Sequence, residues 1–186
     1  REDHSLVTPK DALTGFPSIP GTQTPTNASQ LPLYDYGKDF NQGIISNHPP
    51  KETGKQYTLY VPNVDEDGND IAGLRSPDIQ APIGTHTGWS LRKQGFAENE
   101  LANLTGSFIP FPRTNSDRIR QNDPRLSIEE RYGNHHGYIK AITAAVDDLL
   151  QDGYILQEDA KRYIEAARKR DPTDQNTMLF PLQLQP

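Results

Sequence analysis

Proline sets the limits of this chain. Within the first 55 residues, positions 9, 17, 20, 25, 32, 49 and 50 are proline, and each removes a backbone donor and drives the preceding residue out of the helical region. Regular structure is therefore expected to be sparse from Arg1 to about Lys55. The chain as a whole holds 16 prolines and 14 glycines in 186 residues, too many for a helical bundle and too irregularly spaced for collagen or a simple repeat. Yet Leu13, Phe16, Ile19, Leu31, Leu33, Tyr34, Tyr36, Phe40, Ile44 and Ile45 put apolar side chains here more often than a solvated linker does. That predicts an extended arm laid across another surface, one that need not belong to this chain.

The rest of the composition points the same way. Hydrophobic residues make up only 33% of the chain and mean hydropathy is −0.79, so a core built from this sequence alone is expected to be thin. A formal charge of −6, from 19 basic and 25 acidic side chains, leaves no basic surplus to displace phosphate counterions and argues against nucleic acid as a partner. There is no cysteine, hence no disulfide, thiolate metal site or cysteine nucleophile. No apolar run is long enough to span a bilayer. The opening Arg1-Glu2-Asp3-His4 is neither an initiator methionine nor a signal peptide, which fits a processed or trimmed chain.

From Gln56 to Ile83 the pattern changes. Tyr57, Leu59 and Val61 alternate with Thr58, Tyr60 and Pro62 as in a half-buried strand, and Asp65-Glu66-Asp67-Gly68-Asn69 follows before Ile71 and Leu74, which predicts a β-hairpin with a glycine-assisted turn. Asn63, Asp65, Asp67 and Gly68 also fall at the first, third, fifth and sixth places of a calcium loop. Its twelfth place is Leu74 where a bidentate glutamate is needed, so a plain turn is the preferred reading. The apolar stretch Ile79 to Ile83 then reads as a buried strand leading to a pocket rim at Gly84 to Trp89.

The last third is helical. Ser127 and Glu130 have capping-box spacing, and Tyr138, Ile139, Ile142, Val146, Leu149 and Leu150 mark a helical face that ends near Gly153. A second helix is predicted from Glu158 to about Arg168, burying Ala160, Tyr163, Ile164 and Ala167, to make a helical hairpin. After Asp171-Pro172, an apolar tail of Met178, Leu179, Phe180, Leu182 and Leu184 has no clear period and is either frayed or docked.

The common catalytic signatures are missing. There is no G-x-S-x-G, H-E-x-x-H, phosphate loop or G-x-G-x-x-G, nor the βαβ alternation that such sites need. Among the histidines, His4 and His48 sit in irregular segments, and the adjacent His135-His136 pair falls at a helix start where side chains diverge. His86 stands apart in Gly84-Thr85-His86-Thr87-Gly88-Trp89, where small residues allow close backbone approach and hydroxyls can orient an imidazole. A structural histidine beside a packed tryptophan is preferred there over catalysis. Ser107, in the block Thr105 to Thr114, has no neighbouring base in sequence, and a turn that buries Phe108 and Phe111 is the simpler reading. Asn27-Ala28-Ser29 and Asn103-Leu104-Thr105 match the glycosylation sequon.

Read in order, several blocks carry a family resemblance. They are Phe16-Pro17-Ser18-Ile19-Pro20-Gly21, Leu59-Tyr60-Val61-Pro62 with Val64-Asp65, Asp67-Gly68-Asn69 and Ala72-Gly73-Leu74-Arg75, Thr87-Gly88-Trp89, Gly106-Ser107-Phe108-Ile109-Pro110-Phe111, and Ser127-Ile128-Glu129-Glu130-Arg131-Tyr132. Arg118, Asp123-Pro124-Arg125 and the Leu156-x-Glu158-Asp159-Ala160 helix start join them. Together, from about Asp11 to about Ala167, they resemble the C-terminal region of a bacterial family of large alpha/beta-hydrolase domain proteins. The resemblance implies a serine hydrolase of the esterase or lipase type, often exported, with its sheet, nucleophile and triad histidine upstream of this chain. Position 86 accepts tyrosine in relatives, which counts against His86 as an obligatory base, and the tail from Asp171 departs from the family pattern.

The resulting expectation is an α+β fragment that completes an alpha/beta-hydrolase fold whose main sheet lies in a missing segment. Its parts are an extended proline-rich arm (1–55), a β-hairpin and pocket-loop region (56–126), a helical hairpin (127–170) and a C-terminal tail (171–186). No catalytic residue is expected in the chain itself, with His86 the one candidate, while His86, Trp89 and Phe108 are expected to line the substrate pocket. A complementary N-terminal hydrolase chain or segment would bring the activated serine, its base and the oxyanion donors, and a small ester would be the substrate. Neither a cofactor nor a metal is expected, and the location is expected to be secreted or periplasmic. The competing reading is a stand-alone binding module for saccharide or protein, using Tyr34, Tyr36, Tyr57, Tyr60 and Trp89; a third is a non-catalytic structural subunit.

Overall fold

The computed structural model describes residues 3–26, 28, 30–102 and 106–181. The sequon residues Asn27, Ser29, Asn103 and Thr105, and Leu182 and Leu184 of the tail, lie outside the described residues. The elements run β1 (Leu6–Val7), α1 (Pro9–Gly15), β2 (Pro32–Asp35), a 3-10 turn (Phe40–Gln42), β3 (Lys51–Gln56), β4 (Val61–Pro62), α2 (Pro77–Gln80), β5 (Gly84–Thr87), β6 (Ser107–Pro110), α3 (Asn115–Gln121), α4 (Ile128–Tyr132), α5 (His135–Gln151) and α6 (Gln157–Lys169). This is a mixed α+β arrangement. The strands form antiparallel pairs, β1 with β4, β2 with β3 and β5 with β6. Among the described residues no helix is long and apolar enough to cross a membrane.

The helical pair forms as its periodicity predicts. α5 buries Tyr138, Ile142, Ala145, Val146 and Leu149 along one face, and that face meets Ala160 and Ala167 of α6, with Tyr163 and Ile164 partly buried beside them. Small residues on α6 let the helix axes approach closely. Ile83, Phe111 and Ile128 close the same core from the other side. The capping box is complete: the Ser127 hydroxyl accepts from the Glu130 N–H, and the Glu130 carboxylate accepts from the Ser127 N–H at 2.9 Å. It starts the short α4, and Gly133 ends that helix before Asn134 caps α5 afresh.

Five expectations need correcting. The alternation from Tyr57 to Val61 makes a strand only at its end, where Val61 and Pro62 form β4 against β1; Tyr57 and Tyr60 are exposed, and β3 lies earlier, paired with β2. Alternation gives a segment two faces, but a strand also needs a partner to take its backbone groups. Ile79 to Ile83 is not a buried strand either: Ser76-Pro77-Asp78 opens α2, with proline in the first turn where its missing N–H is harmless. The buried strand is β5, the segment read as a loop. Ser107 to Pro110 pairs with β5 as β6 rather than turning. The proline-rich arm is also less extended than expected, since Thr8 caps α1 by accepting from the Asp11 N–H at 3.2 Å, and Ile19 is buried.

The tail docks as far as it is described. Arg113 donates to the carbonyls of Pro172 and Asp174, each at 2.7 Å, and to that of Thr177, while the Arg170 guanidinium lies 4.0 Å from the centre of the Phe180 ring.

Candidate functional site

The β5–β6 pair decides which side chains can meet. Its register sets Thr85 opposite Ile109, His86 opposite Phe108 and Thr87 opposite Ser107. Directly opposed residues share a face and neighbours along a strand do not. His86 and Phe108 therefore stand on one side, their rings 5.0 Å apart and edge to face, and Ser107 stands on the other with Thr87. The same register sets Ser107 on the face opposite His86. Gly84 opens this strand because nothing larger fits: a Cβ there would lie 2.5 Å from the Phe108 ring and 2.8 Å from the Ile109 carbonyl oxygen.

The acidic turn at 65–70 packs against β5 and holds it. The Asp65 N–H donates to the Asn69 carbonyl at 2.8 Å, and the Gly68 N–H to the Asp65 carbonyl at 2.9 Å, with Gly68 at φ +80° where a side chain would be strained. This is the glycine-assisted turn that the sequence predicts, on much shorter strands than expected. Asn69, fully buried, donates to the Gly84 carbonyl at 3.2 Å and accepts from the His86 N–H at 2.8 Å. The Asp65 carboxylate accepts from two backbone amides and pairs with Arg75 at 2.7 Å, and Asp67 pairs with Arg131. These carboxylates are neutralised by arginine, as the plain-turn reading requires. Among the described residues no group of three or more histidines and acids is placed to hold a metal ion.

From beneath, a buried arginine fastens the pair to the helical half. Arg125 bonds Asp123 at 2.7 Å, the Thr85 hydroxyl at 2.8 Å and the carbonyls of Ile109 and Pro110 at 3.0 and 3.2 Å. Both charged side chains are almost wholly enclosed, so removing one partner would leave an uncompensated buried charge and cost about 3–5 kcal/mol.

Above β5 lies a cavity of about 330 Å³. Leu13 and Phe16 of the α1 region, Val61, Val64 and Leu101 give it aliphatic and aromatic walls, and Asp70, His86, Thr87 and Trp89 are the polar side chains among its lining. Trp89 meets Phe16 edge to face, ring centres 5.5 Å apart. Burial lowers the pKa of His86, with Asp78 opposing weakly, so its imidazole is neutral at pH 7. Its ring nitrogens make no hydrogen bond within the described residues. A neutral imidazole offers one donor and one acceptor to a bound molecule. No serine is hydrogen-bonded to a histidine among the described residues, so the cavity can bind and orient but shows no activated hydroxyl.

Of the three pocket candidates, the fold brings His86 and Trp89 into one cavity and sets Phe108 behind His86, outside the lining. His4 and His48 are exposed, and His135 turns its Nε2 to the Ala167 carbonyl at 2.8 Å while His136 faces solvent. Sequence reasoning missed the wall from α1 and the rim residue Asp70. The signal for α1 was present in Thr8-Pro9-Lys10-Asp11, a capping residue followed by proline and an acid in the first turn. Asp70 carried no signal of its own inside an acidic run.

Comparison with known proteins agrees with the ordered blocks. The model of a family described as alpha/beta hydrolase domain matches residues 21–165. That span takes in the acidic turn, β5, β6, α5 and most of α6, and starts after the α1 wall of the cavity. Neither a curated protein nor a solved structure gives a match. With most of its length matched in one continuous span, the chain belongs to the alpha/beta hydrolase domain family.

Proposed function

We propose that this chain shapes the substrate pocket and covers the core of a serine hydrolase acting on carboxylic esters. The observation that carries the reading is the apolar cavity over β5, where Trp89 and Phe16 form a wall beside a neutral, unengaged His86. A site of this kind binds an acyl or alcohol group and orients it through a few polar atoms. The nucleophilic serine, its base and the oxyanion donors come from a complementary hydrolase segment, and the exposed apolar side chains of the arm, Leu31, Phe40, Ile44 and Ile45, dock on it. Export to the periplasm or medium belongs to the same proposal.

The test is ester turnover. Purified residues 1–186 should not hydrolyse short-chain p-nitrophenyl esters, whereas the enzyme assembled with the complementary segment should. Turnover by the chain alone that survives purification and vanishes on changing one of its own serines would reverse the assignment.

A further inference from the structure

Two acids of the acidic turn, Glu66 and Asp70, make no ion pair among the described residues, and of the two only Asp70 lines the cavity. Of the turn's three aspartates, Asp65 is taken by Arg75 and Asp67 by Arg131, and Asn69 is committed to Gly84 and His86. Asp70 makes neither an ion pair nor a side-chain hydrogen bond among the described residues. Its backbone is held by the bridge to Val64, and its exposed side chain lies on the rim of the cavity. Loss of hydration beside the cavity, and then the Asp65 carboxylate, raise its pKa from the ordinary aspartate value, with Arg75 pulling the other way.

Among the described residues no lysine or arginine lines the cavity, and burial lowers the pKa of its histidine, which is neutral at pH 7. The lining therefore carries a single negative group among apolar walls. Two of those walls are the rings of Phe16 and Trp89, whose quadrupoles also favour a cation. An anionic ligand would meet only repulsion at the rim, and a neutral one would leave the carboxylate as it is. A positive nitrogen satisfies both the carboxylate and the rings.

We propose that the cavity takes a small cationic amphiphile: its apolar part fills the space between Leu13, Phe16, Val64 and Trp89, and its ammonium group pairs with Asp70. The substrate would then be an ester bearing an amino or alkylammonium group. The inference rests on the cavity being the substrate pocket.

Trp89 is the only tryptophan in the chain, so its fluorescence reports occupancy directly. The 186-residue chain is titrated with hexylammonium, hexanol and hexanoate at low salt. Hexylammonium should bind about two- to fivefold more tightly than hexanol, the range of a rim ion pair, and hexanoate more weakly than either. Added salt should narrow the gap. Asp70→Asn should bring hexylammonium to the level of hexanol, while the ranking in the unaltered chain decides the matter whether or not that variant folds. Binding of hexanol or hexanoate at least as tight as hexylammonium would overturn the cationic ligand and leave the pocket standing. Binding of none of the three would overturn both.

Discussion

His86 and Trp89 share a cavity and do different work in it. Burial lowers the pKa of His86, and the β5–β6 register turns it away from Ser107, so it can orient or line but bonds no hydroxyl among the described residues. In the assembled enzyme His86→Ala should cost less than the roughly 10²–10⁴-fold that a true general base contributes. A loss at the top of that range, with folding intact, would make His86 catalytic. Trp89→Ala removes the ring that meets Phe16 and one side of the cavity, so it should raise KM and weaken packing together. An unchanged KM for apolar esters would remove Trp89 from the pocket. Neither residue could be read from its type alone, since a histidine beside a tryptophan is as often core as site.

At the scale of elements, short helices here depend on their ends. Glu130 is the clearest case: hydrogen bonds from the Ser127 hydroxyl and N–H, with Arg118 adding its charge at 2.8 Å, hold its pKa at about 2 against the usual 4.5. A folded-state pKa below the unfolded one means that the stabilisation is complete above pH 4.5 and is lost as pH falls towards 2. Glu130→Gln imitates the protonated side chain. Its deficit in melting temperature, followed by far-UV circular dichroism, should be full above pH 4.5 and close as pH approaches 2. A deficit that stays constant across that window would mean that the charge of Glu130 contributes nothing to the α4 start.

Across the whole molecule the two halves differ in how they are held. α5 is enclosed by α6 and by Ile83, Phe111 and Ile128, whereas every residue of β3 is exposed and the β2–β3 ribbon carries Leu31, Phe40, Ile44, Ile45 and Tyr57 in solvent. Exposed ladders open locally at low cost and enclosed helices do not. Hydrogen exchange should therefore be slowest in α5 between residues 138 and 149 and fast throughout 51–56. A hydrophobic dye should bind the unpartnered chain, and less so after Ile44→Ser with Ile45→Ser. Equal protection of ribbon and helices would contradict this division and, with it, the proposed docking role of the arm.

The sequence by itself determined the helical pair, the glycine turn and the family. Each rests on local information: the spacing of Tyr138, Ile142, Val146 and Leu149 defines a helix face wherever it packs, Ser127 and Glu130 cap each other three residues apart, and Gly68 takes a positive φ that its neighbours resist. Strand pairing was not local in this sense. Tyr57 to Val61 alternates well but only Val61 joins a ladder, against Val7, and Gly84 to Thr87, which looks like a loop, is a buried strand because Ser107 to Pro110 comes to it across the chain. Only the tertiary structure placed Phe16 against Trp89, turned Ser107 away from His86 and left Asp70 without an ion pair among the described residues. Those three facts depend on which distant groups meet and which charges are already answered, and no local pattern records either.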